Sequence, residues 1–127
     1  MRKLRTVALT IASLTLLGCE TPTAPASQLL SVSSDGSAIT LTNSNSWPVF
    51  YMMVDPNMLA LLDFALCTDP ACPQVAAKSI VHVPYGDIIG YHPGQTAVRL
   101  MQWRLRRNSS GTYEATDIKG TDATIQP

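Results

Sequence analysis

From Leu29 onward, apolar and polar residues change places every one or two positions, in short runs cut by turn residues. Leu29 to Ser33 reads as a weak first strand, and Ser34-Asp35-Gly36-Ser37 as a turn, because Asp-Gly is a hairpin signal. Ala38 to Asn43 alternates, with Ile39 and Leu41 on one side and Thr40 and Thr42 on the other, as a strand's period of two requires. A polar turn, Asn43 to Trp47, follows. Val49 to Val54 is apolar on both faces, which predicts a strand inside a sheet; Pro48 stands at its start, where a missing N–H does little harm. Ala77 to Pro84 predicts a strand with Ile80 and His82 on one face and Val81 and Val83 on the other. Ala97 to Arg106 is the longest expected strand. After the turn Asn108 to Gly111, Tyr113 to Thr116 starts a last hairpin strand, and Ala123 to Gln126 extends it.

One segment supports two readings. Asp55-Pro56 is a helix start, with an N-cap acceptor and Pro at the first position. Met58 to Leu66 holds good helix formers, yet Leu62, Phe64 and Leu66 alternate with Asp63 and Ala65. The expectation is one helical turn and then a strand; a full helix from Pro56 to Leu66 is the alternative. Cys67 to Val75 reads as a loop, and Gly86, Gly90, Pro93 and Gly94 break the chain before the long strand.

About seven strands joined by short loops, without a long amphipathic helix, predict an all-β antiparallel sandwich and argue against parallel βαβ units. His92-Pro93-Gly94-Gln95-Thr96-Ala97-Val98-Arg99-Leu100 resembles the Pro-Gly turn into strand F of fibronectin type III and other immunoglobulin-like domains. The resemblance implies an immunoglobulin-like sandwich over residues 29–127. The Cys-Trp-Cys spacing of antibody domains is absent. The domain is similar to small uncharacterised sandwich lipoproteins of environmental bacteria, a likeness that implies no activity.

The first residues carry a different pattern. Arg2, Lys3 and Arg5 precede an apolar run from Val7 to Leu17, the order of a secretory signal. The run is too short to span a bilayer as a stable helix. Leu16-Leu17-Gly18-Cys19 resembles the lipobox of bacterial lipoprotein precursors. That resemblance implies that 1–18 is a signal peptide, that the Cys19 thiol receives a diacylglycerol, and that the new amino terminus is acylated. The membrane is then a partner through the lipid on Cys19. Each buried methylene adds roughly 0.8 kcal/mol, so several acyl chains hold where one is marginal. Glu20 stands where an Asp would retain such a protein at the inner membrane, which implies the outer membrane in a Gram-negative envelope, on either side of it. Glu20 to Gln28 is small, polar and Pro-bearing, and reads with Cys19 as a tether, 19–28.

The nine Lys and Arg balance nine Asp and Glu, but Arg2, Lys3 and Arg5 leave with the signal. Six then face nine, and a mildly acidic mature chain argues against a nucleic-acid partner. Arg104, Arg106 and Arg107 are the local exception, read as a solvated strand edge rather than a phosphate site.

Cys67-Thr68-Asp69-Pro70-Ala71-Cys72 is the sharpest local motif. An exported chain meets an oxidising compartment, and Asp69-Pro70 favours a turn, so a Cys67–Cys72 disulfide is expected. A redox dithiol usually has two residues between the cysteines and a helix start; here there are four and a Pro. A zinc site would need two more ligands, and His82 and His92 are the only histidines. His82 reads as a half-buried sheet residue and His92 as exposed. Neither lies near a Ser in a nucleophile-elbow pattern, and no calcium or phosphate loop is present. No catalytic residue, metal or small-molecule cofactor is assigned. Trp47, Tyr51, Tyr85, Tyr91 and Trp103 could mark a binding face, but core packing is the more frequent role of such residues. The loop Tyr85-Gly86-Asp87-Ile88-Ile89-Gly90-Tyr91-His92 is the candidate recognition element, with Tyr85, Ile88, Ile89 and Tyr91 as partner-binding residues. The expected function is a non-enzymatic binding or structural module of the cell envelope with a protein partner; an exported hydrolase inhibitor using sandwich loops is the alternative.

Overall fold

The alternation seen along the chain becomes seven strands in two antiparallel sheets. A computed structural model describes residues 29–61, 63 and 65–126. The signal segment, Cys19 and the tether lie outside the described residues, as do Leu62, Phe64 and Pro127.

The first sheet holds β1 (Ser31–Ser34), β2 (Ala38–Thr42) and β5 (Ile80–Pro84), with β2 in the middle. The second holds β4 (Gln74–Val75), β3 (Val49–Val54), β6 (Ala97–Arg107) and β7 (Tyr113–Thr124) in that order. The architecture is the expected immunoglobulin-like sandwich. In constant-type immunoglobulin domains the fourth strand extends the first sheet. Here β4 pairs with β3 instead, Val49 opposite Val75 and Phe50 opposite Gln74.

The core between the sheets follows the predicted faces. Ile39 and Leu41 of β2, Val83 of β5, Val49 and Met53 of β3, and Val98 and Leu100 of β6 all point inward. The β1–β2 turn closes through Asp35, whose carboxylate accepts the Ser37 and Ala38 N–H groups at 3.0 and 2.9 Å. These bonds hold the carboxyl below its ordinary pKa. Gly36 takes φ +94°, a conformation that other L residues rarely adopt. The turn after β2 is closed by buried Asn43, which donates to the Trp47 and Val75 carbonyls at 2.8 and 3.0 Å.

Several boundaries differ from expectation, each for a visible reason. β1 starts two residues late because Leu29 and Leu30 give their N–H groups to the fully buried Gln102 side chain, at 3.1 and 2.7 Å, and not to a ladder. Ala77 and Lys78 form a turn, with Lys78 at φ 55°, so β5 begins only at Ile80. The two expected pieces of the last strand are one strand of 12 residues. A bulge joins them: Gln102 faces Lys119 but Arg104 faces Thr116, so the register slips beside Trp103. Asp117 adopts φ 53° there.

The segment after β3 begins as the helical turn expected, α1 (Pro56–Leu59), with Asp55 as N-cap accepting the Asn57 N–H at 3.1 Å. The strand expected to follow is not found: no described residue from Ala60 to Pro73 is in a strand. Short β4 lies instead within the stretch read as a loop. Leu66 packs on the outer face of the second sheet, against the cluster of Phe50, Trp103 and Cys72, with Met52, Met101, Leu105 and Ala115 around it. The segment thus covers a sheet face, which explains why β3 is apolar on both sides.

Candidate functional site

The loop Tyr85 to His92 was the expected recognition element, and the structure divides it. Tyr85 and Ile88 are 5% and 3% exposed and belong to the main core, which corrects their assignment as partner-binding residues. A short 3₁₀ turn, Tyr85–Asp87, folds the chain back so that both side chains point inward. The Tyr85 hydroxyl accepts the Gly36 N–H at 3.1 Å, tying the loop to the β1–β2 turn. Ile89 and Tyr91 stay at the surface, 41% and 36% exposed. The loop backbone is fixed against β3: the Ile89 N–H donates to the Met53 carbonyl at 3.0 Å and its carbonyl accepts the Asp55 N–H at 2.8 Å. Gly90 is required here, since it has φ +79° and a Cβ would stand 2.5 Å from Met58 Cγ. Leu61, just beyond α1, is 77% exposed. Ile89 and Tyr91 thus stand at a corner where α1 packs against Gly90, with Leu61 exposed just beyond it. Beside them, Tyr51, Met52, Val83, Asp87 and Ile89 line a hollow of about 240 Å³. Burial, and then the Asp87 carboxylate, push the Tyr51 phenol above its ordinary pKa.

Asp55 is buried, with Oδ2 3.5 Å from Nδ1 of exposed His92. His82 is exposed rather than half-buried; its Nδ1 lies 3.0 Å from the Thr40 hydroxyl across the β2–β5 ladder. Its outward position follows from the strand alternation, because β5 has the first sheet's solvent face on that side. Among the described residues, no group of three or more His, Cys, Asp or Glu could hold a metal ion.

Cys67 and Cys72 form the expected disulfide, with Cα atoms 6.0 Å apart. The Asp69 carbonyl accepts the Cys72 N–H at 3.0 Å, and its carboxylate accepts the Ala71 N–H at 2.7 Å, so the Asp-Pro turn sets the span. Buried Trp103 donates its indole N–H to the Cys67 carbonyl at 3.0 Å. The disulfide loop is thereby clamped to the outer face of the second sheet.

The opposite end of the sandwich carries Arg104, Arg106 and Arg107. Arg106 pairs with Glu114 at 2.6 Å, and Arg104 stands 3.7 Å from Asp117. The Arg104 guanidinium lies 4.1 Å from the Trp47 ring centre, and Arg107 lies 5.9 Å from that of Tyr113. Trp47, Phe50, Pro70, Arg104, Leu105 and Tyr113 line a groove of about 230 Å³. Tyr113 was not singled out in the sequence, where it is one residue at the start of a strand. Only the fold brings it beside Pro70 and Trp47.

No protein-family model, curated protein or solved structure matches this chain. The fold and its two ends define an immunoglobulin-like sandwich with a disulfide-clamped sheet face. No helix among the described residues is long and apolar enough to cross a membrane.

Proposed function

We propose that the protein is a lipid-anchored component of the bacterial cell envelope whose sandwich is a non-enzymatic module for binding a protein partner. The observation that carries this reading is where the fold begins. Gln102 fixes the Leu29 and Leu30 N–H groups, and the described core residues run from Leu30 to Ile125. The sandwich closes its core starting directly after the tether, which leaves the Leu16 to Cys19 lipobox pattern to act as an address and anchor. The partner surface is the corner of Ile89 and Tyr91, with Leu61 exposed just beyond α1; the Ile89 backbone is hydrogen-bonded to β3. Aromatic and large apolar groups held rigidly suit a binding anchor, because little side-chain entropy is lost on contact.

Two measurements test the reading. Cys19→Ala should abolish incorporation of labelled palmitate; a variant that still labels overturns the anchor. Pulldown from solubilised membranes should recover an envelope protein with the parent chain and lose it with Ile89→Ala/Tyr91→Ala. Recovery of a hydrolase whose activity falls on binding supports the inhibitor alternative instead.

A further inference from the structure

We propose that the end of the sandwich opposite the partner corner docks on anionic phospholipid headgroups, with the β6–β7 hairpin as its contact; this rests on the lipid anchor at Cys19. The first argument is where the chain outside the described residues joins the domain. The Leu29 carbonyl accepts from Asn45 at 2.8 Å, and the Asn45 carbonyl accepts the Lys78 N–H at 3.1 Å. The tether therefore meets the domain at the end that holds the β2–β3 turn, Lys78 and Trp47. Nine residues, Glu20 to Gln28, separate Cys19 from it. Fully extended they reach at most roughly 30 Å, so this end cannot stray far from the bilayer.

The second argument is shape. β6 runs on past Gln102 to Arg107, about 16 Å at a strand's rise of roughly 3.3 Å per residue. β3 stops short, since its pairing with β6 begins at Phe50 opposite Trp103. The hairpin tip thus overhangs the sheet on the tether side. Thr68, Asp69 and Pro70 of the disulfide loop face its turn residues Gly111 and Thr112 across a shared hollow.

The third argument is charge. Lys78, Arg104, Arg106 and Arg107 occupy this end, with Asp69, Glu114 and Asp117. Arg99 is the basic residue at the other end, among Asp35, Asp55, Asp87 and Asp122. Lys119, opposite Gln102, lies between, and Asp63 belongs to the segment after α1. Four basic against three acidic groups at this end, and one against four at the other, make the domain a dipole with its positive pole toward the anchor, although Glu20 of the tether offsets the single excess charge. Glu114 and Asp117 occupy Arg106 and Arg104, whereas Arg107 and Lys78 have no carboxylate partner among the described residues. Tyr113, 39% exposed beneath Arg107, supplies the amphipathic ring that suits a headgroup layer. The acyl chains provide affinity; the end face needs only to bias orientation within a Debye length of about 8 Å.

The test uses the full acylated chain, purified from membranes and reconstituted into vesicles of phosphatidylcholine alone or of an equimolar mixture with phosphatidylglycerol. A headgroup-spin-labelled lipid serves as quencher, and Tyr113→Trp places a reporter at the hairpin. Intact mass scores acylation separately. Quenching of the reporter should be stronger in the anionic vesicles and should weaken with added salt. Lys78→Gln/Arg107→Gln should reduce the docked population roughly fivefold per charge removed. Equal quenching in both lipids, or no effect of salt and of the double variant, overturns the docking while leaving the anchor standing. A chain that carries no acyl group overturns both.

Discussion

The clamp between Trp103 and the disulfide loop gives the sharpest prediction about stability. Trp103 is 1% exposed and is the centre of the outer-face cluster. Trp103→Phe keeps an aromatic ring but removes the donor to the Cys67 carbonyl. A lost hydrogen bond of this kind costs about 1 kcal/mol, near the low end because water reaches Cys67. The smaller ring leaves a void worth about 1 kcal/mol more. The expected loss is therefore about 2 kcal/mol. Replacing the bridge by Cys67→Ser/Cys72→Ala frees a loop of sequence separation 5. Chain entropy for so short a loop gives about 2 kcal/mol as well. The two changes share one carbonyl, so they should not add. Without the bridge the Cys67 carbonyl is no longer held against the indole, and Trp103→Phe should then cost at least ~0.5 kcal/mol less. The assay is urea unfolding of the chain from Leu29 to Pro127, which should fold alone, followed by circular dichroism because the change removes a fluorophore. The slope of free energy against urea should stay constant across the cycle. A Trp103→Phe loss under ~0.5 kcal/mol, or additivity within ~0.3 kcal/mol, refutes the clamp.

Gln102 accepts both the Leu29 and Leu30 N–H groups from a fully buried position, so Gln102→Leu should strand two donors and destabilise by about 2–4 kcal/mol; a change under ~1 kcal/mol in urea unfolding rejects that role. In the 85–92 loop, Ile88→Ala should cost about 2–5 kcal/mol, whereas Ile89→Ala and Tyr91→Ala should each stay within about 0.5 kcal/mol, as thermal melts of the three variants will show. The Asp35 carboxyl is held below its ordinary value by the Ser37 and Ala38 N–H groups. Its contribution is present above pH 3.8 and disappears as pH falls through the lowered folded value, so Asp35→Asn should flatten the acid limb of the stability profile; an acid limb unchanged by the substitution counts against it.

The sequence alone determined the class and much of the framework. Alternation in Ala38 to Asn43 assigned Ile39 and Leu41 inward, and the apolar run Val49 to Val54 announced a strand covered on both faces. The Asp-Gly turn and the Cys67–Cys72 bridge were legible because both depend on neighbours within a few residues. Tertiary structure decided what covers each face. Leu66 lies on the outer sheet face rather than in a strand, since Phe50 and Trp103 present an apolar surface that a paired edge strand would leave wet. The partner of β4 was likewise unreadable, because two residues carry no period and only their pairing with Val49 and Phe50 defines them. Tyr85 and Ile88 looked like loop residues; a 3₁₀ turn and the distant Gly36 amide turned them inward. The bulge beside Trp103 joined two fragments into β7 by absorbing a register slip that local pattern reads as a break. Local chemistry sets turns, bridges and the two faces of a strand; long-range burial chooses which faces are covered, and so which residues are left at the surface to bind.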